Sequence, residues 1–233
     1  MIYKIFPLLA LLFLSSNSID IKNTDPKMIA ANTKSAFEMK AESIYASLNT
    51  NNLALPQSEC FKKALEGFYL LKQKGFIQRD VLTVVDFSLS ANVKRLWVID
   101  LATNTILYNS LVAHGRNTGE EFADSFSNIN ESFKSSLGFY ATGEIYNGKH
   151  GMSLKLDGLE KGVNDNARNR GVVVHGADYV SESFIRNHQR LGRSQGCPAL
   201  PVELTNEIIN VIKDKSCLFI YHPSRNKSAR LLS

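Results

Sequence analysis

Cysteine is scarce in this chain of 233 residues: Cys60, Cys197 and Cys217 are all it has. Three thiols leave room for one disulfide at most. With Cys197 set aside as a reactive residue, Cys60 and Cys217 remain. An exported protein can bridge such a pair, and two separate buried thiols are the alternative. Long apolar runs are lacking as well. The one clear run, residues 5–14, is about ten residues long, against the roughly twenty that a membrane-spanning helix needs. No internal repeat is visible. The net charge is only +5 and the basic residues are scattered, which argues against nucleic acid as a partner.

The short run has another reading. Lys4 precedes it, and Ser16-Asn17-Ser18 follows it with small residues at a cleavage point. Residues 1–18 therefore read as a signal peptide, with export to the periplasm or cell envelope and no stable membrane insertion after cleavage; an uncleaved anchor is the alternative. No cysteine follows closely, so a lipoprotein anchor is not expected. Residues 19–56 are polar and read as a linker or tether, with 27–48 open to helix formation. A single domain is expected over 57–223, and 224–233 reads as a basic tail.

Within that domain, Phe61, Leu65, Phe68 and Leu71 fall on one face at helical spacing, which predicts a helix over 58–74 with Ser58 as N-cap and Gly75 past its end. β-branched and aromatic runs predict strands at 82–87, 95–100, 105–108, 138–145, 153–156, 171–175 and 218–221. Helices are expected at 202–213, behind Pro201, and at 181–189. The class is α+β, mainly β.

Two stretches carry chemistry. Gly171-Val172-Val173-Val174 ends in His175-Gly176, and Ser194-Gln195-Gly196-Cys197-Pro198-Ala199-Leu200 follows. Cysteine attacks as the thiolate and needs a base, and histidine titrates near neutrality. His175 at a strand end is well fixed, and Cys197 sits on a turn flanked by Gly196 and Pro198. Consecutive amides in such a turn can hold an oxyanion, which nominates Gln195, Gly196 and Cys197. Arg193 and Ser194, just before the cysteine, are candidates for binding a substrate carboxylate. His150, in Gly148-Lys149-His150-Gly151, is a candidate for lining the groove. His114, in Ala113-His114-Gly115, reads more readily as structural, and His188 and His222 read as surface or packing residues. Asn164-Asp165-Asn166 reads as a turn.

These residues resemble the L,D-transpeptidase catalytic domain family of bacterial cell-wall enzymes, which carries a strand-borne His and then a Ser/Thr-His-Gly-Cys stretch. Here Gln195 replaces the histidine of that stretch, and Pro198-Ala199 follows the cysteine, so the chain resembles a divergent branch. Ser135-Ser136-Leu137-Gly138-Phe139-Tyr140, Gly148-Lys149-His150-Gly151, Asn164-Asp165-Asn166-Ala167-Arg168 and Gly192-Arg193 through Leu200 carry the likeness. The resemblance implies a curled β-sandwich with packed helices. It implies Cys197 as nucleophile, His175 as general base and acid, and the Gly176 carbonyl as the group that orients His175. It implies peptidoglycan stem tetrapeptides as partners, loss of D-Ala, a thioacyl enzyme and 3-3 cross-linking or hydrolysis, with no cofactor.

Two rival readings stand beside it. Gln195 in place of histidine leaves room for an inactive peptidoglycan-binding module. His150 and Asp157 have the seven-residue offset of one group of zinc cell-wall peptidases, but His175 is followed by Gly176-Ala177 and the further His-x-His of those enzymes is missing. The oligomeric state and the acceptor are not legible.

Overall fold

The computed structural model describes residues 26–225. The expected signal peptide and all of the basic tail beyond Arg225 lie outside the described residues. The chain divides into two units, Met1–Ala36 and Phe37–Ser233. Of the first, the backbone of residues 26–36 is described, as the start of helix α1 (Pro26–Ala46). The elements that follow are α2 (Ser58–Gln73), β1 (Val81–Asp86), β2 (Leu96–Asp100), β3 (Thr105–Ser110), β4 (Gly138–Gly148), β5 (Gly151–Gly158), β6 (Val173–Gly176), α3 (Glu182–His188), β7 (Ala199–Leu200), α4 (Val202–Ile212) and β8 (Cys217–Tyr221).

Among the described residues eight strands form one sheet, in the order β3-β2-β1-β8-β4-β5-β6-β7. β1 runs parallel to β8, and β6 parallel to β7; the other neighbours are antiparallel. The centre is apolar on both faces, as a strand covered on two sides must be. Along β8, Cys217, Phe219 and Tyr221 enter one core with α2, while Leu218 and Ile220 enter a second with α4. That second core shows the curl. Leu154 and Leu156 of β5, Val174 of β6 and Leu200 of β7 meet Val85 of β1 and Val98 of β2 there. The segment after β3 then bridges Ala113 to Ala199 of β7, which brings the two ends of the sheet almost into closure. The mainly β, curled architecture matches the sequence reading.

α2 begins as its periodicity predicts, with Phe61, Leu65, Phe68 and Leu71 buried. Its N-cap is Gln57, without a side-chain cap, and Ser58 is already helical. The C-terminus closes with Gly75 at φ +77°. The Gly75 amide donates to the Lys72 carbonyl and the Phe76 amide to the Leu71 carbonyl, the pairing that a left-handed residue past a helix end provides. The tether expectation needs correction over residues 37–56. Ala41 and Leu48 are buried in the α2 core. Trp97 Nε1 donates to the Ala54 carbonyl at 2.7 Å, and Tyr45 Oη to the Pro56 carbonyl at 2.8 Å. This stretch packs against the domain because its few apolar residues complete the core. The three cysteines are free thiols; Cys60 and Cys217 are buried. Among the described residues, no helix is long and apolar enough to cross a membrane.

Candidate active site

The pairing of β6 with β7 places the two expected reactive residues. His175 registers with Ala199 in a parallel ladder. Cys197 therefore sits two residues before the partner of His175, beside Val173, which is two residues before His175 itself. The Val173 amide donates to Cys197 Sγ at 3.4 Å, and Sγ donates to the Gly171 carbonyl at 3.7 Å. Neither of these bonds reaches His175. Both residues open onto one cavity of about 530 Å³, lined also by Phe133, Tyr146, Lys149, His150, Arg170 and Tyr179.

His175 is buried and locked. Its Nδ1 lies 2.9 Å from the Gly176 carbonyl. A carbonyl only accepts, so Nδ1 carries the proton and Nε2 keeps its lone pair, free to act as a base. Burial, with lesser contributions from His150 and Lys149, pushes the imidazole below its ordinary pKa against the pull of that carbonyl. Burial likewise pushes the Cys197 thiol up, while the Val173 amide, Arg170 and Lys149 pull it down. The resting pair at neutral pH is therefore a thiol and a neutral imidazole, which suits base-assisted attack better than a preformed ion pair.

The loop that carries the cysteine is held from several sides. The Ser194 amide donates to the His114 carbonyl at 2.9 Å, and the Arg116 amide to the Ser194 carbonyl at 2.7 Å. Ser194 Oγ donates to the Cys197 carbonyl at 2.6 Å and accepts the Gly196 amide at 3.0 Å. Ser135 Oγ donates to the Gly196 carbonyl at 3.2 Å and accepts the Gly115 amide at 3.0 Å. Two glycines are required. Gly196 has φ +122°, a region that side chains avoid. A Cβ on Gly115 would lie 2.9 Å from Gly196 Cα and 2.5 Å from the Phe133 carbonyl oxygen.

This geometry sorts the remaining expectations. Of the three nominated amides, that of Gly196 is engaged by Ser194 Oγ, whereas no hydrogen bond among the described residues engages those of Gln195 and Cys197. Ser194 is buried and turned into the loop, which gives it a bracing position. Arg193 lines the cavity, but its Nη1 is spent on the Arg116 and Gly119 carbonyls and on Glu120 at 2.7 Å. His150 lies at the β4–β5 turn, exposed, with its ring stacked on that of His175 at 4.4 Å between centroids. Asn164 is buried, donating to the Leu137 and Phe139 carbonyls.

His114 is buried too. Arg95 Nη2 donates to its Nδ1 at 2.8 Å, and its Nε2 lies 3.2 Å from the Gly119 carbonyl. Burial, and the Arg95 charge after it, push this imidazole down to about 4. The pair braces the 112–116 segment from beneath, since Arg95 also donates to the Val112 carbonyl. Asp157 is held by Arg168 and is absent from the cavity wall. Among the described residues no three His, Cys, Asp or Glu side chains group to hold a metal ion, so the zinc reading finds no geometric support.

Sequence reasoning missed Arg170. It lies in a polar, charge-bearing stretch whose likeness stops at Arg168, and nothing in its spacing marks it. Lys149, Phe133 and Tyr179 also line the cavity without having been nominated; Lys149 alone carried a signal, as the neighbour of His150.

The solved structures that the chain is similar to include an L,D-transpeptidase from Mycobacterium smegmatis, at 12% identity and TM-score 0.39, covering 61% of this chain and 59% of that one. The helical cell shape determining protein Pgp2 from Campylobacter jejuni gives 13% identity and TM-score 0.42, covering 65% and 54%. A further L,D-transpeptidase, from Xylanimonas cellulosilytica, gives 13% identity and TM-score 0.37, covering 85% and 94%. The chain thus spans only 59% and 54% of the first two solved chains. Among curated proteins, none matches the chain. A family model described as the L,D-transpeptidase catalytic domain matches residues 54–221, a span that takes in the whole sheet from β1 to β8, and by that match the chain belongs to the L,D-transpeptidase catalytic domain family.

Proposed function

We propose that this protein is an exported murein L,D-transpeptidase that works through a thioacyl enzyme on Cys197. The observation that carries the reading is the β6–β7 register. It seats a histidine with a free Nε2 and a cysteine on the wall of one cavity, the cysteine on a loop pinned by five hydrogen bonds. A loop that only bound peptides would need neither the base nor the nucleophile.

The donor is a stem tetrapeptide. Cys197 Sγ attacks the carbonyl carbon of its third residue, and the thiol proton passes to His175 Nε2. That step requires the side chain of Cys197 to leave its bond to the Gly171 carbonyl. The carbonyl oxygen, now an oxyanion, accepts hydrogen bonds from the Gln195 and Cys197 amides. One such donor is typically worth about 3 kcal/mol of barrier. The C–N bond then breaks, the imidazolium returns its proton to the leaving amine, and D-Ala departs. An amine of a second stem, or water, attacks the thioester with His175 again as base. The first gives a 3-3 cross-link and the second a shortened stem. The Gly176 carbonyl keeps the ring in the productive tautomer throughout.

Release of D-Ala from a disaccharide tetrapeptide, compared between the native chain and His175→Ala, tests the reading. The native chain is expected to release D-Ala, and His175→Ala to be slower by roughly 10³-fold, within the range for a lost general base. Equal release by the two proteins removes His175 from the chemistry. No release by either, with the peptide still bound, leaves a peptidoglycan-binding module.

A further inference from the structure

Arg170 stands on the strand-approach side of the cavity, and its environment is unusual for a half-buried arginine. Nη1 donates to the Ser127 carbonyl at 2.8 Å and to Ser136 Oγ at 3.2 Å. Nη2 donates to the Lys134 carbonyl at 2.6 Å and to Ser132 Oγ at 3.3 Å. Four bonds from one guanidinium thus gather the irregular segment 127–136, the part of the chain that supplies Asn130, Glu131 and Phe133 to the cavity wall. Two residues of that wall, Glu131 at φ +56° and Phe133 at φ +54°, hold left-handed backbone, a strain that persists only where the surroundings impose it. The same guanidinium reaches the cysteine loop. Its Nη2 lies 3.4 Å from where a Cβ on Gly196 would stand, next in sequence to Cys197. Among the described residues no carboxylate is a hydrogen-bond partner of Arg170; all four partners are neutral oxygens, so no salt bridge there cancels its charge.

We propose, resting on the thioacyl reading above, that Arg170 is a positioning residue for the reaction. Its planar fork locks the 127–136 wall against the cysteine loop, and its uncancelled positive charge lines the same cavity as the sulfur that must become a thiolate. A lysine could supply the charge but not the four-bond fork. Arg170 is not alone around the sulfur. Lys149 and His150 come from the β4–β5 turn, His175 from β6, and Tyr179, Arg193 and Glu131 complete the surrounding wall. Lys149 and Arg170 are the charges among these that favour the thiolate. Lys149 stands on an exposed turn, whereas Arg170 is fixed by four bonds.

The test is the pH dependence of Cys197 alkylation by iodoacetamide in the full chain, read by peptide mass so that Cys60 and Cys217 do not contribute. Arg170→Gln is expected to raise the pH midpoint of alkylation by about one unit, in the range that one neighbouring charge commands. Arg170→Lys is expected to keep the native midpoint while slowing D-Ala release about tenfold, because a wall misplaced by a fraction of an ångström costs rate. Circular dichroism melting shows whether each variant folds; if Arg170→Gln does not, the lysine variant decides. An unchanged midpoint in folded Arg170→Gln overturns the charge role, as does a midpoint in Arg170→Lys raised by a full unit. Native D-Ala release by Arg170→Lys overturns the fork. Alkylation needs no peptide, so a shifted midpoint in a protein that releases no D-Ala would leave Arg170 in place and sink the acyl-transfer reading alone.

Discussion

Ser194→Ala removes one oxygen and with it both bonds that close the 194–197 turn. In the native chain Ser194 Oγ donates to the Cys197 carbonyl at 2.6 Å and accepts the Gly196 amide at 3.0 Å, at a position 4% exposed. A net hydrogen bond is worth about 1 kcal/mol, and a buried donor left without a partner costs about 1–3 kcal/mol. Because Gly196 is buried, its amide has no ready access to water. The expected loss of stability is therefore about 2 kcal/mol, measured by urea unfolding with an unchanged m-value. The effect on chemistry should exceed the effect on stability. The turn fixes both the sulfur and the amides of Gln195 and Cys197, and a displacement of about 1 Å can cost about 10²-fold in rate. Ser194→Thr keeps the hydroxyl and should retain most of both. The assays are unfolding and D-Ala release on the same preparations. A Ser194→Ala protein that loses about 2 kcal/mol yet releases D-Ala at the native rate would refute the idea that this turn positions the reaction. One that loses less than about 0.5 kcal/mol would refute the energetic argument itself.

Other outcomes follow from the same structure. Burial holds His175 below its ordinary pKa, so the acid limb of a pH–rate profile should fall below about 6.5; a limb at or above that value contradicts a buried base. His114 is held at about 4 against an ordinary 6.5. Its folded pKa is the lower one, so the unfolded chain binds the proton first. The stability it contributes is complete above pH 6.5 and falls as the pH drops towards 4, by up to about 3 kcal/mol. Urea midpoints at pH 7 and pH 4.5 should therefore differ less in His114→Gln than in the native chain. Gly67 of α2 faces the ring of Phe139, where a Cβ would stand 2.0 Å from the nearest ring atom. Phe139 is stacked on Phe219 at 4.1 Å between centroids and has no room to retreat. Gly67→Ala should destabilise by about 1–3 kcal/mol from overpacking, in spite of the better helix propensity of alanine; a raised melting temperature would show that the ring yields.

The elements that were legible in the sequence are those whose burial pattern is local. β8 is an unbroken run of apolar and aromatic residues, and β1 and β2 are interrupted only by Thr83, Asp86 and Asp100, because both of their faces are covered; α2 declares itself by helical spacing, and Pro201 marks the start of α4. The His175 and Cys197 stretches were legible because glycine, histidine, cysteine and proline are each informative at a strand end or a turn. What stayed hidden depends on distant pairing. β7 is two residues long and is held by β6 on one side and by the bridge from Ala113 on the other. β4 runs on to Gly148 through polar residues because β5 pairs with it there. The partner of Arg193 is Glu120, more than seventy positions away, so a residue that looks like a free carboxylate binder is occupied. Arg170 reads as one more charge in a polar stretch until the fold wraps 127–136 around it. The packing of residues 37–56 was missed for a similar reason, since a few buried residues such as Ala41 and Leu48 are enough to seat a stretch that is polar on average.

The proposed reaction turns on a covalent bond to one sulfur, and intact mass reads that bond directly. The native chain and Cys197→Ala are each incubated with a disaccharide tetrapeptide, quenched in acid and weighed. An adduct of the donor minus D-Ala is expected on the native chain, none on Cys197→Ala, and loss of the adduct when an acceptor stem is added. An adduct of equal size on both proteins, or D-Ala release by Cys197→Ala at the native rate, would contradict the proposed reaction.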